Sequence, residues 1–267
     1  MSRQPTKQAI RSCLYGVTSI SVAVAAWWLA SASGRWSPLI LPSPAKVWGT
    51  FVYSLGEHHG RDGYFDAFLW EHAWASVRRV LDGVIRAVVI GLPLGLAIAT
   101  WKPVAAIVEP WVNFLRALPP LAYFVLLIFW FGIDDASKVW LLFGAAFPPI
   151  TLATISGVRR VRTDRIDAAR ALGASRLQVL RLTVLPSILP DLFTGLRIAV
   201  GFAWTTIVAA ETMNGLPGLG GVAWATRSQN RSDVTIMIVI VIGVLALAMD
   251  RLIKTVEHFA VPWSGKA

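Results

Sequence analysis

The sequence predicts an all-α membrane protein that crosses the bilayer six times. Three observations carry that expectation. The 267-residue chain is 55% apolar and only 15% charged, against roughly a quarter charged in soluble domains. Apolar runs approaching twenty residues recur along it, the length that crosses about 30 Å of hydrocarbon at about 1.5 Å per residue. The basic residues are also divided unevenly among the loops between those runs. Forty charged side chains are too few to cover a soluble surface, and the same scarcity excludes disorder. A single cysteine, Cys13, excludes an intramolecular disulfide framework or a cysteine-based metal cluster. The net charge of +10 admits a nucleic-acid reading or a topology reading, and the placement of the bases decides between them.

The spans follow in order. Leu14 to Ala30 is an uncharged run. It follows Arg3, Lys7 and Arg11 and precedes Ala30-Ser31-Ala32, a pattern shared with cleavable signals. Its length and the five runs that follow favour a retained helix. Val80 to Trp101 is the second run and contains Asp82 and Arg86. Ala117 to Ile133 and Val139 to Val158 are uncharged. Ile188 to Ala210 contains Asp191 and Arg197, and Val234 to Met249 closes the set. With the N-terminus inside, Lys102, Arg116 and seven arginines between Arg159 and Arg181 join the basic N-terminus and Arg251, Lys254 and Lys266 on the cytoplasmic side. The outer loops carry fewer bases and most of the acids, including Glu57, Asp62, Asp66, Glu71, Asp134 and Asp135. The excess is therefore a topology signal, with both termini cytoplasmic and no nucleic-acid partner. The chain reads as one domain over residues 1–267, with an outer loop at 34–73. Pro38, Pro42 and Pro44 favour an extended path at the start of that loop.

The cytoplasmic loop over residues 159–186 is the informative one. Asp164 is a candidate N-cap, with Asp167 near the positive end of a short helix. Ile166, Ala169 and either Leu172 or Gly173 fall on one face at helical spacing. Gly173 ends that helix. Ser175 and Gln178 form a capping-box pattern for a second helix, whose stripe is Leu177, Leu180 and Val184. Pro186 ends the pattern and opens the next span. The result is a compact, arginine-ringed knob with small residues at Ala168, Ala169 and Ala171. The knob either docks on a partner or lies on anionic lipid.

Asp167-Ala168-Ala169, then Gly173, then Leu185-Pro186 resembles the EAA signature of ABC importer permeases: E-A-A, three residues, G, nine residues, an Ile-like residue, one residue, L-P. Asp167 stands where Glu is usual and Thr183 where Ile or Val is usual. Phe114 to Val139, Gly195 to Trp204 and Val261 to Lys266 are similar to the nitrate, sulfonate and taurine branch of that family. The resemblance covers residues from about 74 to 266, with a core permease region at about 74–258. It implies the six-helix type I ABC importer permease fold in the inner membrane. It also implies a translocation path for a small anion such as taurine, an alkanesulfonate or nitrate. The implied partners are cytoplasmic ABC ATPase subunits, an outside solute-binding protein, a second permease subunit (a homodimer) and the bilayer. Asp167, Ala168, Ala169, Gly173, Leu185 and Pro186 would form the ATPase-coupling site. The chain has no G-x-x-x-x-G-K-[ST] loop, so it is expected to be no enzyme and to need no cofactor. The alternatives are a polytopic membrane enzyme, for which no intramembrane nucleophile and base pair is evident, and an ATP-independent carrier or channel, which needs no knob.

Other residues are weighed against structural roles. Gly91-Leu92-Pro93-Leu94-Gly95 is either a small-residue packing face or a bend. Pro148-Pro149 frees backbone carbonyls that either line a path or accompany a kink. Charges inside spans are costly unless paired or facing water. Arg197 and Glu211 are the candidate solute-path residues, with pairing to a neighbouring acid or base as the competing expectation. Arg86 and Asp191 share that expectation. His58, His59 and His72 read as solvated loop histidines rather than metal ligands. Asn214 to Pro217 reads as an outer turn.

Overall fold

The computed structural model describes residues 5–58 and 60–263. Arg3, His59 and Lys266 lie outside the described residues. The chain divides into two packed units. One runs to Leu69 and takes in Val222–Ile240; the other comprises Trp70–Gly221 and the chain from Val241.

In the first unit, helix α1 (Pro5–Ala32) carries the first apolar run. Helix α2 (Pro44–Tyr53) occupies part of the loop expected to start extended. Pro44 sits in its first turn, where a missing N–H costs nothing, and Ser43 caps it by accepting from the Lys46 N–H at 3.3 Å. A two-residue hairpin, β1 (Glu57–His58) and β2 (Arg61–Asp62), follows.

In the second unit, three helices form the core: α3 (Leu69–Thr100), α6 (Asp135–Arg160) and α9 (Leu185–Asn214). Glycine permits the close approach of α3 to α6. A Cβ on Gly83 would lie 2.5 Å from that of Leu142, and one on Gly95 would lie 2.6 Å from that of Thr154. The residue numbers rise together, so α3 and α6 run parallel. The Gly91 and Gly95 face is thus a packing face, and α3 continues through Pro93 without a break. Helix α9 runs the other way: Gly195 meets Ala153, while Gly157 meets Ile188. Val84, Ala87, Leu142, Ala146, Ala203 and Ile207 are among the buried core side chains.

Two parallel neighbours require the chain to return between them. Helices α4 (Lys102–Ala117) and α5 (Phe124–Phe131) make that return, bent by 99°. Arg159 holds Glu109 at 2.7 Å, and Phe124 and Leu127 pack with Leu141. The return therefore starts at the C-terminal end of α6 and finishes near its N-terminal end. Ala117 to Ile133 is consequently not one continuous helix. Leu118 precedes Pro119, which precedes Pro120, and each residue before a proline is driven out of the helical region; Leu118 and Pro119 have ψ of 128° and 125°. Among the described residues five helices are long and apolar enough to cross a membrane, and six crossings result if the bent pair counts as one. Helix α11 (Ser232–Ala260) is the last of them.

Candidate functional site

The knob forms where α6 ends and α9 begins. Helix α7 (Thr163–Ala171) is followed by α8 (Arg176–Val179), a π-turn (Leu180–Val184) and α9. Gly173 has φ +84°, the left-handed conformation that ends a helix without strain only for glycine. The Gly173 and Ala174 N–H groups donate back to the carbonyls of Arg170 and Ala169. The capping box is complete: the Ser175 N–H donates to Gln178 Oε1 at 2.7 Å, and the Gln178 N–H to Ser175 Oγ at 3.4 Å. Asp164 is not the N-cap of α7. Arg162 takes that position, and its guanidinium binds the Asp164 carboxylate in the first turn. That bond holds Asp164 below the usual carboxylate range.

Helix α8 does not stop at Pro186 but runs into α9. Proline lacks the N–H that would bond the carbonyl four residues back and clashes with it, and the widened π-turn just before it accommodates the defect. The apolar stripe also differs from the expected one. Val179, Val184 and Ile188 form a buried cluster, with Ile166, Ala169, Leu180 and Leu185 against it. Leu172 and Leu177 instead point outward, 89% and 71% exposed. Asp167 and Ala168 are exposed beside them, and Asp167 pairs with Arg170 at 3.6 Å. Ala169 and Leu185 face the protein's own interior.

The other end of α9 carries a buried ionic cluster that periodicity does not reveal. Arg79 of α3, 3% exposed, donates from Nη1 to Glu211 Oε1 at 2.7 Å and to the Pro217 carbonyl at 2.7 Å. Its Nε donates to Asp135 at 2.8 Å. Lys138, also buried, lies 3.7 Å from Asp135. Two bases and two acids thus balance in place. The segment before helix α10 (Leu219–Ala225) is held by side chains. The N–H groups of Gly218, Leu219 and Gly220 donate to His72 Nδ1, Ser76 Oγ and Glu211 Oε2. Ser76 in turn donates to Glu211 at 2.8 Å. A Cβ on Gly218 would meet the Glu211 carboxyl at 2.5 Å. Glu211 is therefore enclosed and saturated rather than presented to a path, and His72 is buried at 1% exposure rather than solvated. Ser76 and Arg79 went unseen in the sequence because their partners lie far along the chain, and Lys138 joins them only through Asp135, three residues before it.

Arg197 pairs with Asp250 of α11, Nε to Oδ1 at 2.6 Å. Arg160 pairs with Asp191 at 2.9 Å. Pro148 and Pro149 lie within a continuous α6, beside a cavity of about 70 Å³. In the first unit, Asp233 accepts from Thr50 at 2.8 Å and from Arg231, which also donates to the Tyr64 hydroxyl at 2.9 Å. Burial raises the Tyr64 pKa. These residues line an open cleft of about 660 Å³. Among the described residues no three metal-ligating side chains converge.

The family of inner membrane components of binding-protein-dependent transport systems matches residues 91–259. The chain belongs to this family. It is 35% identical to the taurine transport system permease protein of Escherichia coli K12, over 96% of this chain and 92% of that one. It is 32% identical to the bicarbonate transport system permease protein of Synechococcus elongatus, over 87% and 84%. Its fold is similar to a chain of the inward-facing MetNI methionine ABC transporter, with TM-score 0.58 and 23% identity over 70% of this chain and 95% of that one. An amino acid ABC transporter chain gives TM-score 0.52 at 20% identity, over 71% and 96%. As a member of this permease family, the protein is a multi-pass inner-membrane transport subunit rather than an enzyme.

Proposed function

We propose that the chain is the membrane subunit of an ATP-driven importer for a small anion of the taurine or bicarbonate kind, with alkanesulfonates and nitrate in the same class. It works as one permease domain, paired with a second copy. ATPase subunits bind at the knob and a solute-binding protein docks at the opposite face. Both termini lie in the cytoplasm, with the arginine-rich knob between them. The systems named for the relatives, taurine and bicarbonate transport, support the solute class.

The observation that carries the reading is the knob itself. Its backbone is locked by Gly173 and the Ser175 capping box, while two leucines stand in solvent beside Asp167 and Ala168. A stiff element with an exposed apolar tip fits a groove on a partner. Because α8 runs into α9 through the π-turn, a push on the tip moves α9 as a body. Its far end carries Glu211, tied to Arg79 and to the 218–220 segment. ATPase closure at one end is thereby converted into repacking at the other, a rigid-body switch between discrete arrangements. Arg197 and Glu211 act in this scheme as ion-paired supports of α9.

The test is purification from native membranes without crosslinking. A P-loop ATPase should co-purify, and the reconstituted complex should take up its solute in an ATP-dependent, vanadate-sensitive manner. Uptake by the chain alone, insensitive to vanadate, would identify a carrier instead.

A further inference from the structure

We infer that Arg86 lines the translocation path and supplies the cationic contact for the anionic group of the solute. This rests on the reading of the chain as an anion-importing permease. Arg86 lies six residues, about 9 Å, inside the apolar stretch that starts at Val80, and fourteen residues short of the end of α3. A charge at that depth is costly against lipid and stands where it faces water or another charge. Within the apolar stretch of α9, Arg197 has Asp250; toward the ends of the core helices Arg79 has Glu211, Arg159 has Glu109 and Arg160 has Asp191, while Arg78 is exposed ahead of the apolar stretch that starts at Val80.

Arg86, inside the apolar stretch of α3, has no such partner: it is exposed, and among the described residues no acid lies within ion-pair reach of it. Its guanidinium carbon sits 5.2 Å from the centroid of the Trp140 ring. A cation over an indole face is held in orientation without being neutralised, so its donors remain available to a carboxylate or sulfonate. Trp140 is itself fixed, stacked on Phe131 at 5.6 Å and meeting Phe143 edge-on at 5.3 Å. Asp82, one turn earlier, is half-buried and makes no ion pair with Arg86, leaving the guanidinium turned to the tryptophan. A preoriented, unneutralised cation beside a rigid aromatic wall is the chemistry of a weak anion site, suited to a solute that must also leave.

The test places a cysteine one turn along at exposed Ile90, in a Cys13→Ser background that leaves this chain no other thiol, in the full complex with ATPase and binding protein in proteoliposomes, with labelling read on this chain after separation. The probes are 2-sulfonatoethyl methanethiosulfonate and its trimethylammonium counterpart. With Arg86 present the anionic reagent should be favoured, and Arg86→Gln should lower the anionic-to-cationic rate ratio about tenfold, as expected for one charge at about 6 Å in water. Arg86→Lys should keep the ratio. The transported anion should slow the anionic reagent. An unchanged ratio in Arg86→Gln overturns the proposal. So does failure of both charged reagents where membrane-permeant N-ethylmaleimide reacts. ATP-dependent uptake by the parent protein is measured in the same vesicles. Its absence would count against the importer reading itself, whereas normal uptake with a flat ratio removes Arg86 alone.

Discussion

At the residue scale the molecule depends on how each buried polar atom is satisfied. Glu211 is fully enclosed and accepts from Arg79, Ser76 and the Gly220 N–H. Replacing it with alanine leaves the buried Arg79 with the exposed Asp135 as its remaining acid and leaves the Gly220 N–H unmet. Glu211→Ala should therefore destabilise the protein by about 3–5 kcal/mol, seen as a lower midpoint in thermal unfolding of the detergent-purified protein. An unchanged midpoint would mean that the cluster is not closed. Tyr123 gives the opposite expectation. Its hydroxyl is buried without a hydrogen-bond partner, and such a group carries a desolvation penalty of about 1–3 kcal/mol. Tyr123→Phe should leave the unfolding midpoint unchanged or raise it, and a fall would reveal a partner for the hydroxyl. Glu211 stood out in the sequence as a charge in need of a partner, but neither its partner nor the Tyr123 site was legible there. Glu211 and Arg79 are separated by 132 positions, and no local period links them.

At the element scale the knob was legible because its signals are local. Gly173, Ser175 and Gln178 act on backbone groups within a few residues, so pattern and geometry agree. What pattern could not assign was direction. Ala169 and Leu180 turn inward while Leu172 and Leu177 turn out: Leu172 lies past the last helical residue of α7, and the π-turn brings Val179, five residues before Val184, onto the buried face. The break at Pro119-Pro120 was hidden for a related reason: hydropathy registers the apolar run, whereas the prolines decide whether the run is one helix. Two predictions belong at this scale. Ser175→Ala removes the cap and should cost about 1 kcal/mol, read as faster amide exchange over residues 163–184 with little change elsewhere; unchanged exchange would show that the box is idle. Ala169→Glu forces a charge into the cluster under α7 and should unseat that helix, seen as new protease cleavage within residues 162–175, while Ala168→Glu on the exposed side should leave the cleavage pattern unaltered.

At the scale of the whole molecule, charge scarcity, parallel α3 and α6, the bent return between them and the continuous α8–α9 rod describe a device with a handle at one end and a tied segment at the other. Leu172 and Leu177 are solvent-exposed, so changing them leaves folding intact and touches only what docks there. The most direct measurement is ATP-driven, vanadate-sensitive uptake of solute into proteoliposomes holding the complete complex with Leu172→Glu and Leu177→Glu together. The double variant should give a normally folded, membrane-embedded permease that loses its ATPase partner and at least nine-tenths of its uptake. Uptake at the unmodified rate with the ATPase still bound would contradict it.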